Sequence, residues 1–180
     1  MIFIRPVKKL LLLLFIYPAL LYSQMSVKID SVGLENMYRI DEGIYRSEQP
    51  DEAQFVALKK YGICEVLNLR YRHSDQKYAK KTNLILHQVR MNAHRIKDKD
   101  VINALKIIKN RKGAILIHCM HGSDRTGLII AMYRIVFQNI SKDKAIAEMK
   151  SDEYGFHNIY VNIIEYIKKA DVEYIRHSVK

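Results

Sequence analysis

A short apolar run bounded by Gly113, Ala114-Ile115-Leu116-Ile117-His118, passes directly into Cys119-Met120-His121-Gly122-Ser123-Asp124-Arg125 and from there into the apolar stretch 126–138. Five residues are too few for a helix, and unbroken apolarity means that both faces are covered, so the run reads as a central strand of a parallel sheet. Parallel strands need long crossover connections, usually helical, which commits the chain around this strand to an α/β arrangement.

The flanking sequence supplies the helices and strands that such a sheet needs. Pro50-Asp51 opens a helix with Phe55, Val56, Leu58 and Tyr61 at helical spacing, and Gly62 stops it. Residues 63–69 and 84–91 read as strands, with a short helix in the polar stretch 70–83 between them. Val101, Ile102, Leu105 and Ile108 recur at spacings of three and four and make 98–110 an amphipathic helix. A buried helix is expected over 126–138, another from Ser141 as N-cap to about Met149, and a last one from His157 to about Ile175. Residues 25–42 lack a clear period and are expected to be irregular with one short strand. The chain of 180 residues can bury one sizeable core. The expectation is a single α/β domain, a mainly parallel central sheet flanked by helices.

The N-terminus has a different character. Arg5, Lys8 and Lys9 precede an apolar run over residues 10–21, which is followed by Ser23-Gln24. That order is the pattern of a secretory signal, and the run, interrupted by Pro18, is shorter than the roughly 20 residues of a membrane span. Residues 1–23 are therefore expected to direct export to the periplasm or outside and to be removed, leaving 24–180 as the mature domain with no stable membrane span. Removing those three cations from the formal net charge of +11 leaves +8. Such a balance suits phosphorylated partners, nucleic acid or anionic membrane, and export sets nucleic acid aside. Export also places Cys64 and Cys119 where disulfides persist. Cys64 lies in an apolar strand pattern and reads as a core residue, with a Cys64–Cys119 disulfide as the alternative.

The loop after the central strand carries the chemistry. A phosphate monoester repels nucleophiles, so its cleavage needs an anionic nucleophile and concentrated positive potential at one place. A strand end leading into a helix start aims free backbone N–H groups at one spot and adds the positive end of the helix dipole. A thiol held there beside a guanidinium is in the setting that favours a nucleophilic thiolate, which makes Cys119 the expected nucleophile. Arg125 follows after five residues, enough for the loop 120–125 to circle a phosphate and return a planar fork to two of its oxygens. Met120, His121, Gly122, Ser123, Asp124 and Arg125 are thus the expected phosphate-binding residues. Gly122 allows positive φ and close backbone approach, and Thr126 either serves the sulfur with its hydroxyl or caps the helix.

His118, Cys119, Gly122, Arg125, Thr126 and Gly127 match the signature of the cysteine-dependent protein tyrosine phosphatases, and the chain resembles their dual-specificity branch. Ile44-Tyr45-Arg46-Ser47-Glu48-Gln49-Pro50 and Leu67-Asn68-Leu69-Arg70 are similar to the first part of bacterial members. The resemblance implies hydrolysis of phosphotyrosine, with phosphoserine and phosphothreonine as further substrates, through a phosphocysteine intermediate without metal or cofactor. It also implies that His118 holds the loop. The partner is then a phosphorylated protein, with phosphoinositides or inositol phosphates as the alternative substrates of the same loop.

The chain departs from the family where a general acid is usual, since Leu86-His87-Gln88-Val89-Arg90 holds no carboxylate. Asp124, beside Arg125, is the expected acid, and Asp98 is the alternative, with Asp100 next to it. His73, His87, His94, His157 and His177 show no metal-ligand spacing and are expected to be surface or core residues.

Overall fold

The structure, a computed structural model, describes residues 26–180, so the expected export segment 1–23 lies outside the described residues. Among the described residues six strands and six α-helices follow one another as β1 (Val27–Lys28), β2 (Tyr38–Asp41), β3 (Ile44–Ser47), α1 (Glu52–Tyr61), β4 (Glu65–Asn68), β5 (Ile85–Gln88), α2 (Asp98–Lys109), β6 (Ile115–His118), α3 (Asp124–Gln138), α4 (Lys142–Met149), α5 (Val161–Lys169) and α6 (Val172–Ser178). They form one sheet in the order β1-β2-β3-β6-β4-β5. β3, β6, β4 and β5 run parallel, and β1 and β2 are added antiparallel at one edge.

β6 lies inside the sheet, and all four of its residues are buried. Its side chains alternate between two cores, as the two-residue period of a strand requires. Ile115 and Ile117 join Leu67, Leu128, Met132 and Ile163 on the face covered by α2 to α6. Leu116 joins Val66, Phe55 and Leu58 beneath α1 on the other. The helix ends follow local chemistry. Asp51 and Gln54 form a reciprocal capping box at the start of α1, and Gly62 ends it at φ 105°. Ser141 accepts the Lys144 N–H at the start of α4.

Several expectations are corrected. The stretch expected to be irregular holds β1 and β2, and β2 turns back into β3 through Glu42-Gly43, with Gly43 at φ 68°. Segment 70–83 forms successive turns instead of a helix, with Asp75 O accepting from Tyr78 and Ala79. The last helix is two, because Ala170 leaves helical geometry (ψ 130°) and Asp171 caps a new start at Tyr174 N. Cys64 is not a core residue: it precedes β4 and is exposed, and both cysteines are free. Its N–H bonds Ala114 O, which sets it level with the start of β6, whereas Cys119 follows the other end. Five residues at about 3.3 Å each put roughly 16 Å between them along the strand. A disulfide needs Cα atoms within about 7 Å, so the Cys64–Cys119 pairing is ruled out in this fold.

Candidate active site

His118 ends β6 level with Ser47 of β3 and Asn68 of β4, so the loop that follows rises at the carboxyl end of the sheet between two parallel neighbours. Crevices at that end are the usual ligand sites of open α/β sheets. Cys119 is 1% exposed at the base of the loop, and Arg125 enters the first turn of α3.

Three consecutive loop carbonyls are fastened from outside. Gln49 N–H donates to Met120 O at 3.1 Å, Asn36 Nδ2 to His121 O at 2.9 Å, and Arg46 Nη2 to Gly122 O. A peptide plane whose carbonyl points outward directs the next N–H the opposite way. The N–H groups of His121, Gly122 and Ser123 are therefore turned to the inside of the loop, where they form a nest for an anion. Gly122 makes the closest approach: its φ is 71°, and a Cβ there would meet the carbonyl carbon and oxygen of Ser47 at 2.5 Å.

Arg46 is 1% exposed, and its guanidinium lies 3.9 Å from the centre of the Tyr154 ring. Burial pulls it down to about 10, against the pull of Tyr154 and Cys119, which leaves it charged at neutral pH. A fixed cation thus bonds the loop at Gly122, in addition to Arg125 where the loop enters α3. Two buried donors at the start of α3, Arg125 Nε and Thr126 Oγ1, have no partner among the described residues. Groups of that kind cost free energy when unpaired, and a bound oxyanion meets the need of Arg125.

His118 is held on both sides. Nε2 lies 2.8 Å from Asp75 Oδ2, and Nδ1 lies 3.1 Å from Cys119 O. Both partners are acceptors, so a hydrogen on either ring nitrogen has one to meet it. Burial works against the charge of Asp75, but the hydrogen bond and charge of His118 and the bond from Gln49 outweigh it and hold the carboxyl below its ordinary value. Asn68 Nδ2 adds a further bond at 2.8 Å.

The other expected residues are placed as follows. Met120 is half exposed at the rim, and Ser123 Oγ turns to His121 O at 3.3 Å. Asp124 is 6% exposed and accepts from His157, at 3.0 Å from its N–H and at 3.0 and 3.1 Å from Nδ1. Asp98 is exposed in the first turn of α2, where it accepts the Tyr166 hydroxyl at 2.8 Å. The sequence reading missed the supporting roles of Asn36, Arg46, Asp75, Tyr154 and His157. Arg46 and Asn68 lie inside the two upstream segments already singled out, whereas Asp75 and His157 carry no local signal.

Beside the loop runs a groove of about 620 Å³ bounded by His121, Ser123, Asn36 and Tyr154. Asp30, Glu35, Glu48, Asp152 and Glu153 line it, against Lys28. The described residues hold no cluster of three or more metal-ligating side chains and no helix long and apolar enough to cross a membrane.

Known proteins resemble the chain in sequence and in fold. The model of the tyrosine phosphatase family matches residues 31–179. The dual specificity protein phosphatase TpbA of Pseudomonas aeruginosa is 30% identical over 143 residues, covering 78% of this chain and 65% of that protein. The chain thus spans just under two thirds of the length of that relative. A crystal structure of a cysteine-to-serine variant of TpbA in complex with pTyr superimposes with a TM-score of 0.76 at 28% identity, covering 86% of this chain and 94% of the other. The core catalytic domain of the PP-IP phosphatase SIW14 from S. cerevisiae, in complex with citrate, gives a TM-score of 0.68 at 27% identity over 80% and 90%.

Proposed function

Because the chain belongs to the tyrosine phosphatase family, we propose that it hydrolyses phosphate monoesters through a phosphocysteine intermediate on Cys119. The observation that carries this reading is the inward-turned N–H row of 121–123, which follows directly on Cys119 and leads to Arg125, whose Nε is buried without a partner among the described residues. The Cys119 sulfur attacks phosphorus in line with the leaving oxygen, the nest and Arg125 take the charge of the other three oxygens, and water then releases phosphate. Thr126 Oγ1, buried without a partner at the start of α3, is the hydroxyl that serves the sulfur as it leaves.

The two kinds of relative offer two substrate classes, a phosphorylated protein and an inositol phosphate. The groove beside the loop supports the first. Acidic residues outnumber lysine in the lining of this groove even with Asp30 paired to Lys28, an excess that repels a ring carrying several phosphates and attracts a peptide with Lys or Arg near its phosphorylated residue. The test is kcat/KM on a phosphotyrosine peptide with basic flanks against an inositol polyphosphate, with Cys119→Ser as the control that removes turnover. The peptide should lead by about tenfold or more, one unit of 1.4 kcal/mol in differential binding. The reverse order would establish the inositol phosphate reading.

We also propose that residues 1–23 direct export, on the strength of the cationic start and the short apolar run. N-terminal sequencing of the protein recovered from its producing cell should begin near Gln24, and a cytoplasmic protein that still begins at Met1 would refute export.

A further inference from the structure

His157 is expected from its spacing to be an ordinary surface or core residue, yet the fold seats it on the loop. It lies between a single 3-10 turn, Asp152–Tyr154, and α5, and Gly155 at φ 62° bends the chain back toward α3. Its backbone N–H and its Nδ1 both reach the carboxylate of Asp124, the residue immediately before Arg125. The ring is 47% exposed and stands 5.4 Å from the ring of His121 on the loop. Tyr160 flanks it at 6.4 Å from the α5 side.

This arrangement divides two tasks that a lone carboxylate would have to combine. Asp124 is nearly sealed from solvent, and a carboxylate accepts hydrogen bonds, so the His157 backbone N–H and an Nδ1–H both suit its oxygens. The bond from Nδ1 fixes the ring orientation and leaves Nε2, which no hydrogen bond engages among the described residues, as the nitrogen able to pass a proton outward. Asp98, bonded to Tyr166 at the start of α2, is engaged elsewhere.

Resting on the reading of Cys119 as nucleophile, we propose that His157, positioned by Asp124, is the general acid and base of the reaction. In the first step the Cys119 thiolate forms an S–P bond and the P–O bond to the leaving group breaks. The electron pair of that bond stays on the leaving oxygen, which takes the proton from His157 Nε2 and departs as an alcohol or phenol. In the second step a water oxygen bonds to phosphorus and gives a proton to Nε2, the S–P bond breaks, and its electron pair returns to Cys119 as thiolate. Asp124 keeps its bond from Nδ1 throughout and is a positioning residue.

The experiment measures kcat/KM, which reports the steps through S–P bond formation, for wild type, His157→Gln and Asp124→Asn on p-nitrophenyl phosphate, a phosphotyrosine peptide and an alkyl phosphate. Gln can still donate to Asp124 but cannot exchange a proton. In His157→Gln the loss should steepen with leaving-group basicity, from less than about tenfold on the nitrophenyl ester to roughly 10²–10⁴ on the alkyl ester. Asp124→Asn should show the same trend at smaller amplitude, and vanadate should still bind both variants, which shows an intact loop. Equal losses on all three esters, or a trend in Asp124→Asn that is missing from His157→Gln, would overturn the assignment while leaving the phosphatase reading standing. A wild-type chain that turns over none of the esters would remove both together.

Discussion

Asp75 and His118, 43 residues apart in sequence, meet at 2.8 Å with both side chains sealed from solvent directly behind the phosphate loop. Breaking such a pair strands a buried group, at a cost of about 3–5 kcal/mol. Asp75→Asn should lower the stability by that order. The folded carboxyl sits below its ordinary value of 3.8, so its contribution is complete above about pH 5 and is lost as the pH falls below 4 toward the folded value. Denaturant titrations between pH 3 and 7 should show this acid loss in wild type, and an equal loss in Asp75→Asn would refute the assignment.

Gly122 has no room for a side chain, since its φ is positive and the carbonyl of Ser47 occupies the place of a Cβ. Gly122→Ala must push β3 and the loop apart. About 1–3 kcal/mol of stability should be lost. Displacement of the inward N–H groups should reduce kcat/KM by about 10² or more. An Ala variant with wild-type kinetics would show that the inward N–H row is not the anion site.

Arg125→Lys keeps the charge but replaces a planar fork by a point. Turnover should fall by about 10²–10³, as on loss of a donor to the transition state. Vanadate affinity measured in the same variant should fall too, because one of the two parallel bonds has no substitute.

Cys64 and Cys119 cannot pair within this fold, so mild peroxide should abolish the proposed phosphatase activity by a route in which Cys64 takes no part. Inactivation rates and recovery with a reductant should be the same in wild type and Cys64→Ala. Mass spectrometry that finds an internal Cys64–Cys119 disulfide in the folded protein would contradict the strand register.

The parts of the site legible in the sequence are those whose cause is local. The apolar run of β6, the spacing from Cys119 to Arg125 and the helix that follows are set by neighbours within a few residues, and they appear where the pattern put them. Of the strands β1, β2 and β3 only one was expected, because strands of two to four residues with mixed burial leave too short a pattern. Cys64 misled because the apolar residues after it are buried while its own position, before the strand, is not. Asp75 lies in a polar stretch that reads as a short helix, and only its long-range partners His118, Asn68 and Gln49 reveal it as buried. His157 lacks any metal or catalytic spacing, and its meeting with Asp124 depends on how the chain returns after α4.

The carbonyls of the phosphate loop are fastened by Asn36, Arg46 and Gln49, which belong to a part of the chain 71 to 85 residues earlier. The signature is consequently not portable. A peptide holding residues 118–127 would keep every letter of it and have nothing to turn its peptide planes, and a fragment lacking β3 would fold its helix start without a cradle. The recognition surface comes into being only with the completed sheet, so the proposed phosphate binding would double as a readout of whether the whole domain has folded.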